Sequence, residues 1–264
     1  MLIDDLTLIK PLGKGAFGEV FLTSKQGSMQ KFASKQIDKI LAANPKAKKY
    51  LDREISILKE INHENIVKLY DVKEASQYFY LITEYCNGGN LSECLEKYQE
   101  TYNSPFPEEL VQYFMRQIIS AVKYLHEKRI IHRHIKLENI LIHYDSAEDR
   151  IKEKLFKSKV KLKNFTFARY LKKGDLAEST LGAPLYMDPG ILRKLNKMKH
   201  SQDYCYDEKV DIWGLGNIFY EMLPQFTIQL SKLFLINKIF FYQILDSFKI
   251  YFFSQFIILH AYQK

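Results

Sequence analysis

Hydrophobic positions recur along this chain with two different periods, and the change between them divides it. From about residue 6 to 85, apolar and polar residues alternate in short runs, as in strands, with one stretch of helical period among them. In that stretch, 46–61, Leu51, Ile55, Leu58 and Ile61 share a helix face, and Glu54 falls beside them, three residues after Leu51 and four before Leu58. A carboxylate buried there unpaired would be costly, so it calls for a cation; a place at the wet margin of the stripe is the plainer alternative. The strand around Phe32 to Ile37 offers the cation. Alternation puts Ala33, Lys35 and Ile37 on one side, so the Lys35 ammonium points where two apolar residues point. Snorkelling at a sheet edge would account for Lys35 alone, whereas Lys35 and Glu54 together make a pair.

Beyond residue 105 the period becomes helical. Leu110, Phe114, Ile118, Ala121 or Val122, and Leu125 form one stripe, and Pro107 followed by Glu108 and Glu109 suits a helix start. Asn87-Gly88-Gly89-Asn90 marks the change of period and reads as a linker between a small and a large lobe. The span 143–161 is charged and poor in apolar residues, which predicts an exposed insertion between two strands. A further helix is expected over 209–222, and no internal repeat is evident.

Composition narrows the picture. With 47% hydrophobic and 14% aromatic residues in 264, the chain should fold rather than stay solvated. The net charge of +8 comes from scattered lysines rather than one basic stripe, so no nucleic acid partner is expected. Cys86, Cys94 and Cys205 form neither a C-x-x-C pair nor a zinc spacing, which points to a reduced, cytoplasmic setting. Asp4 and Asp5 stand where a signal peptide would be basic, so export is not expected. From Pro224 to Lys264 the chain is dense in Phe, Ile, Leu and Tyr. Lys232, Lys238, Asp246 and Lys249 nonetheless cut it into pieces shorter than the ~20 apolar residues of a membrane span.

Several motifs carry chemistry. Gly13-Lys14-Gly15-Ala16-Phe17-Gly18-Glu19-Val20 has the G-x-G-x-x-G-x-V form, in which glycines let backbone amides approach phosphate. Dinucleotide-binding turns share the glycine spacing, but there a helix follows, and here the strand Glu19-Val20-Phe21-Leu22 does. Further on come Ile131-His132-Arg133-His134-Ile135-Lys136-Leu137-Glu138-Asn139-Ile140-Leu141, then Asn164-Phe165-Thr166, and Asp211-Ile212-Trp213-Gly214-Leu215-Gly216. In this order, with Lys35 and Glu54, they resemble the protein kinase family over residues 6 to about 222. Phe167-Ala168-Arg169 is similar to the serine/threonine type, and Tyr78 to Leu91 with the charged insertion is similar to the autophagy-initiating group.

The resemblance implies an α+β, two-lobed fold: a small β-rich lobe over 6–86, a helical large lobe over 87–222 that is incomplete at its C-terminal end, and a hydrophobic tail over 223–264. It implies ATP as ligand. Gly13, Gly15 and Gly18 would cover the phosphates, and Lys35 would bind them, oriented by Glu54. Val20, Ala33 and Leu141 would hold the adenine, with Glu84 and Cys86 at the hinge and Thr83 behind it. Lys136 and Asn139 would serve the catalytic loop, and Leu58, Leu69, His132 and Phe165 a hydrophobic spine.

The departures concern catalysis. His134 replaces the aspartate that accepts the substrate hydroxyl's proton; a neutral imidazole is basic near pH 7, but its ring is larger. Asn164 replaces the acidic metal ligand, so Mg²⁺ should bind weakly, with Asn139 as the remaining matched ligand. Thr166 replaces a glycine, where a β-branched residue resists positive φ. In Gly182-Ala183-Pro184-Leu185-Tyr186-Met187-Asp188-Pro189-Gly190, Ala183 and Gly190 lack the family's threonine and glutamate. The expectation is an ATP-binding pseudokinase that works through a protein partner. The rival is a slow serine/threonine kinase acting on protein substrates, and a third reading is a decayed gene product without a stable fold. The tail is expected to be a foreign ending that recruits a partner or rests on a membrane surface without spanning it, or else a divergent helical ending.

Overall fold

Alternating runs at the start of the chain become long strands. β1 (Leu2–Ile3), β2 (Leu6–Gly15), β3 (Gly18–Lys25), β4 (Lys31–Asp38), β5 (Leu69–Glu74) and β6 (Tyr78–Glu84) form one antiparallel sheet in the order β1-β2-β3-β4-β6-β5. This is a computed structural model that describes residues 2–3, 5–15, 18–28, 30–171 and 207–223. β4 lies inside the sheet, so Lys35 is fixed from both sides, opposite Val20 on β3 and Leu81 on β6.

Between β4 and β5 run α1 (Lys39–Ala42) and α2 (Pro45–Glu60). Asn44 caps α2 by accepting from the N–H groups of Lys46 and Ala47, and Pro45 fits the first turn because it needs no amide partner there. The predicted face buries Leu51 and Leu58 together with Glu54. It is wider than the sequence suggests: Ile57 is completely buried and Ile55 only partly. The reason is that α2 is gripped on two sides, by the sheet and by a 3₁₀ turn at Phe165–Phe167.

The second half is mostly helical, with α3 (Leu91–Tyr102), α4 (Glu108–Glu127), β7 (Ile130–Ile131), β8 (Ile140–Tyr144), α5 (Ala147–Ile151), β9 (Ser158–Leu162), β10 (Arg169–Tyr170) and α6 (Lys209–Met222). In α4 the predicted stripe is buried throughout. α3 was not anticipated, although its signal was present: Asn90 and Glu93 form a reciprocal capping box. The expected linker is firmly held. Gly88 N–H donates to Ile142 C=O at 2.8 Å, and Asn87 bonds both backbone groups of Tyr144 at 2.9 Å. A Cβ on Gly88 would lie 2.7 Å from the Ile142 side chain, so glycine alone permits that approach.

The expected insertion over 143–161 shrinks to 145–157. Its flanks are strands, paired from Ile140↔Leu162 to Tyr144↔Ser158, with Tyr144, Ser158, Val160 and Lys161 buried. Lysines interleaved with apolar residues disguised a period-two pattern. One core joins the halves: Ile57, Leu58 and Leu81 pack with Leu91, Leu125, Ile135, Phe165 and Leu215. Among the described residues no helix is long and apolar enough to cross a membrane. Residues 182–190, Cys205 and the segment from 224 onward lie outside the described residues.

α6 contributes the most deeply buried charge. Asp211, 1% exposed, accepts from the backbone N–H of His132 at 2.8 Å and of Arg133 at 2.7 Å, and its Oδ2 lies 2.9 Å from His126 Nε2. Burial raises the Asp211 carboxyl, but His126, His132 and the hydrogen bonds outweigh it and hold it below its ordinary value. These bonds fix the loop that follows β7, including the left-handed Arg133 at φ 65°. Asp211→Ala would strand two buried backbone donors, so urea unfolding should show a loss of about 3 kcal/mol or more. An unchanged midpoint would mean that water replaces the carboxylate.

Candidate functional site

The glycines lie at the turn end of the hairpin of β2 and β3, where Gly13 pairs with Val20 and Gly15 with Gly18. Gly18 has φ 149°, and a Cβ there would strike Gln36 C=O at 1.9 Å, so the fold itself requires that glycine. Gly13 has nothing within 4 Å of a built Cβ, and Gly15 only a backbone oxygen at 3.8 Å. The fold does not demand those two; room for a ligand would.

Lys35 and Glu54, paired on sequence grounds, meet in space. Lys35 Nζ donates to Glu54 Oε1 at 3.0 Å and Oε2 at 2.9 Å. Thr166 completes the group: its Oγ1 accepts from Lys35 Nζ at 3.1 Å and donates to Glu54 Oε2 at 2.9 Å. The steric conflict expected at Thr166 does not arise. The left-handed residue is Asn164, at φ 70° and ψ 71°, a conformation that asparagine tolerates, while Thr166 lies in the 3₁₀ turn. Phe165 is buried with its ring edge-on to His132 at 4.9 Å, in the same core as Leu58 and Leu69.

At the crossing between the lobes, Thr83 Oγ1 donates to Ala33 C=O at 3.0 Å. Glu84 is bound by Lys161 at 2.8 Å, a partner the sequence reading did not name. Among the described residues no other backbone group takes the N–H or C=O of Cys86. Its thiol is buried and pushed up to about 12, so it stays protonated. Cys94 is likewise a free thiol. Val20, Ala33 and Leu141 are each partly exposed.

The loop after β7 brings His134 and Asn139 beside Asn164, and no carboxylate is among the three. Asn139, buried, donates from Nδ2 to His134 C=O at 2.8 Å. Asn164 directs its Nδ2 at both His134 Nδ1 and Asn139 Oδ1, each at 3.3 Å. Both are acceptors in this arrangement, which fixes the amide orientation and puts the imidazole proton on Nε2. The His134 ring also lies against Phe167 at 5.1 Å. Burial, then the nearby His132 and Lys136, push His134 down from 6.5 to about 3. The basicity near pH 7 considered from the sequence is therefore lost. Lys136 pairs with Glu138 at 3.2 Å. Lys163, next to Asn164, is a further cation that sequence reasoning missed. Burial lowers its ammonium, Glu93, Cys86 and Glu138 oppose that, and Lys136 adds to it.

At the two positions expected to hold a metal stand amides: Asn139 Oδ1 accepts from the Asn164 side chain at 3.3 Å, and neither position brings the carboxylate that Mg²⁺ favours.

Cleft, paired lysine and glutamate, and aspartate-held loop together define a class, and comparison with known proteins agrees. The family described as protein kinase domain matches residues 6–251, and the chain belongs to that family. The match extends into the segment read from the sequence as a separate tail. Similar proteins include the serine/threonine-protein kinase atg1 of Dictyostelium discoideum, 35% identical over 84% of this chain and 30% of that protein. The serine/threonine-protein kinase ULK1 of Homo sapiens is 36% identical over 80% of the chain and 18% of its own length. The ATG1a kinase of Arabidopsis thaliana is 34% identical over 84% and 32%. The chain thus spans a third or less of the length of these relatives.

His134 sets a pH dependence whose sign is fixed. The unfolded imidazole titrates near 6.5 and the folded one near 3, so between these values the unfolded chain binds a proton that the native state refuses. The stabilisation is present above pH 6.5 and is lost as pH falls toward 3, a loss on the order of a few kcal/mol. His134→Asn should flatten the fall of the melting temperature between pH 6.5 and 4. An equally steep fall in the variant would place the titrating group elsewhere.

Proposed function

We propose that this protein is a serine/threonine-kinase-like domain that binds ATP and acts as a binding or regulatory module, with phosphoryl transfer absent or very slow. The observation that carries the reading is a contrast within one cleft. The Lys35–Glu54 pair is formed at hydrogen-bond distance, while His134, Asn139 and Asn164 hydrogen-bond to one another without a carboxylate. In this reading Lys35 meets the phosphates, Gly13 and Gly15 leave the hairpin backbone open to them, and the Cys86 backbone meets the adenine edge. Glu54 and Thr166 keep the ammonium in place.

Phosphoryl transfer needs a nucleophile held in line and charge neutralised on the transferring group. With Nδ1 accepting from the Asn164 amide and the proton on Nε2, the neutral His134 ring offers no free lone pair to a substrate hydroxyl, and the two amides bring no negative charge to a metal. The lobe division at residue 86, a protein partner, and a cytoplasmic setting consistent with the free Cys86 and Cys94 thiols belong to the same reading.

One observation favours residual catalysis as a second reading: Asp211 holds the loop and the ion pair is closed, so the frame for transfer is assembled. Two measurements separate the readings. Lys35→Ala should weaken calorimetric binding of an ATP analogue at least about tenfold; affinity equal to that of the unmodified chain would contradict nucleotide binding in this cleft. In a radiometric assay on generic serine/threonine substrates the unmodified chain should be silent. His134→Asp combined with Asn164→Asp should raise the rate more than either change alone, because residues that act as a unit are not additive. Robust transfer by the unmodified chain, abolished by Lys35→Ala, would establish the second reading instead.

A further inference from the structure

A lysine ammonium has three N–H donors and no acceptor, and in Lys35 all three are taken. Two go to the Glu54 carboxylate, at 3.0 and 2.9 Å, and the third goes to Thr166 Oγ1 at 3.1 Å. The ion pair by itself would leave one donor for a ligand. Glycine at position 166, as in the family pattern, would leave it so; the hydroxyl there is this chain's own addition. Thr166 is 3% exposed, and its Oγ1 is fixed in turn by donating to Glu54 Oε2 at 2.9 Å. The Lys35 side chain keeps 20% of its surface open against 5% for Glu54, so the lysine is the member of the group that a ligand reaches.

A phosphate oxygen that binds Lys35 must therefore replace one of three acceptors, and bond strength decides which. The bonds to Glu54 join an ammonium to a carboxylate and are charge-assisted at both ends, whereas Thr166 offers a neutral oxygen. The hydroxyl contact is the one that yields. Its surroundings let it yield without stranding a buried group. Thr166 still donates to Glu54, and a cavity of about 20 Å³ lined by Ile37, Ala42, Leu51, Glu54 and Thr166 has room for one water to donate to Oγ1.

We propose that Thr166 is a stand-in for phosphate, an acceptor within the protein that competes with nucleoside polyphosphates for the third N–H of Lys35. It saturates the ammonium in the ligand-free protein, and it lowers the affinity for polyphosphates while leaving that for the bare nucleoside unchanged. This rests on the nucleotide-binding reading and adds to it the residue that sets how strongly the phosphates are held.

Calorimetric titration of the full chain with ATP and with adenosine tests this, in Thr166→Val, which removes the hydroxyl at nearly constant shape, and in Thr166→Ser, which keeps it. Thr166→Val should bind ATP roughly three- to tenfold more tightly and adenosine as before, and Thr166→Ser should match the unmodified chain. In a Lys35→Ala background the gain should vanish, because the competition acts through that ammonium. Thr166→Gly carries the same expectation and replaces the valine variant should that one fail to fold. Unchanged or lowered ATP affinity on loss of the hydroxyl would show that it supports the ammonium rather than competes for it, and would overturn the inference while the nucleotide reading stands. A gain shared equally by adenosine, or one that persists without Lys35, would overturn it as well. Failure of the folded, unmodified chain and of these variants to bind either ligand would remove the nucleotide reading and the inference together.

Discussion

The buried contact of Lys35, Glu54 and Thr166 is the constraint on which the rest of the cleft depends. Glu54 is 4% exposed on a helix face that is otherwise apolar, and an isolated carboxylate there would be untenable. It is satisfied by an ammonium from β4 and a hydroxyl from the turn after β9, elements separated by 19 and 112 residues in the chain. One carboxylate therefore ties the sheet, α2 and the far side of the cleft into a single arrangement. Such a contact contributes less to stability than to uniqueness, because desolvation offsets much of the attraction. What it secures is the position of one cation at the mouth of the glycine hairpin.

A second buried carboxylate, Asp211, does the same for the opposite wall by anchoring the loop that carries His134 and Asn139. With both walls fixed, the chemistry is decided by which side chains the frame presents. It presents amides and a neutral imidazole, hydrogen-bonded to each other, where transfer of a phosphoryl group would need a base and a metal. The frame and the side chains it presents are thus separable, and the proposed loss of phosphoryl transfer concerns only the second. Charge follows the same logic: Glu54, Glu138 and Glu84 are matched by Lys35, Lys136 and Lys161.

Much of this could be read from the sequence, for physical reasons. Period-two and helical patterns located the sheet, α2 and α4, because each buries one continuous face. A carboxylate and an ammonium on apolar faces announced their own pairing. The roles of His134, Asn139 and Asn164 came from a family pattern, whereas their mutual bonds depend on amide orientations and ring burial that no spacing encodes. Thr166 was judged by backbone preference, and its hydroxyl proved to matter more because the left-handed position fell on Asn164. Lys161 and Lys163 were hidden in a lysine-rich stretch that looked solvated. Only the register of β8 against β9 reveals that Lys161 stands opposite Leu141.

The central claim is that this cleft holds a nucleotide triphosphate without consuming it. A single-turnover experiment puts that most directly: excess protein is mixed with γ-labelled ATP and a serine/threonine peptide, quenched over minutes to hours, and the bound nucleotide is analysed. The account predicts that the label remains in intact ATP associated with the protein. Appearance of the label in peptide or free phosphate within that time, at a rate lost in Lys35→Ala, would contradict it.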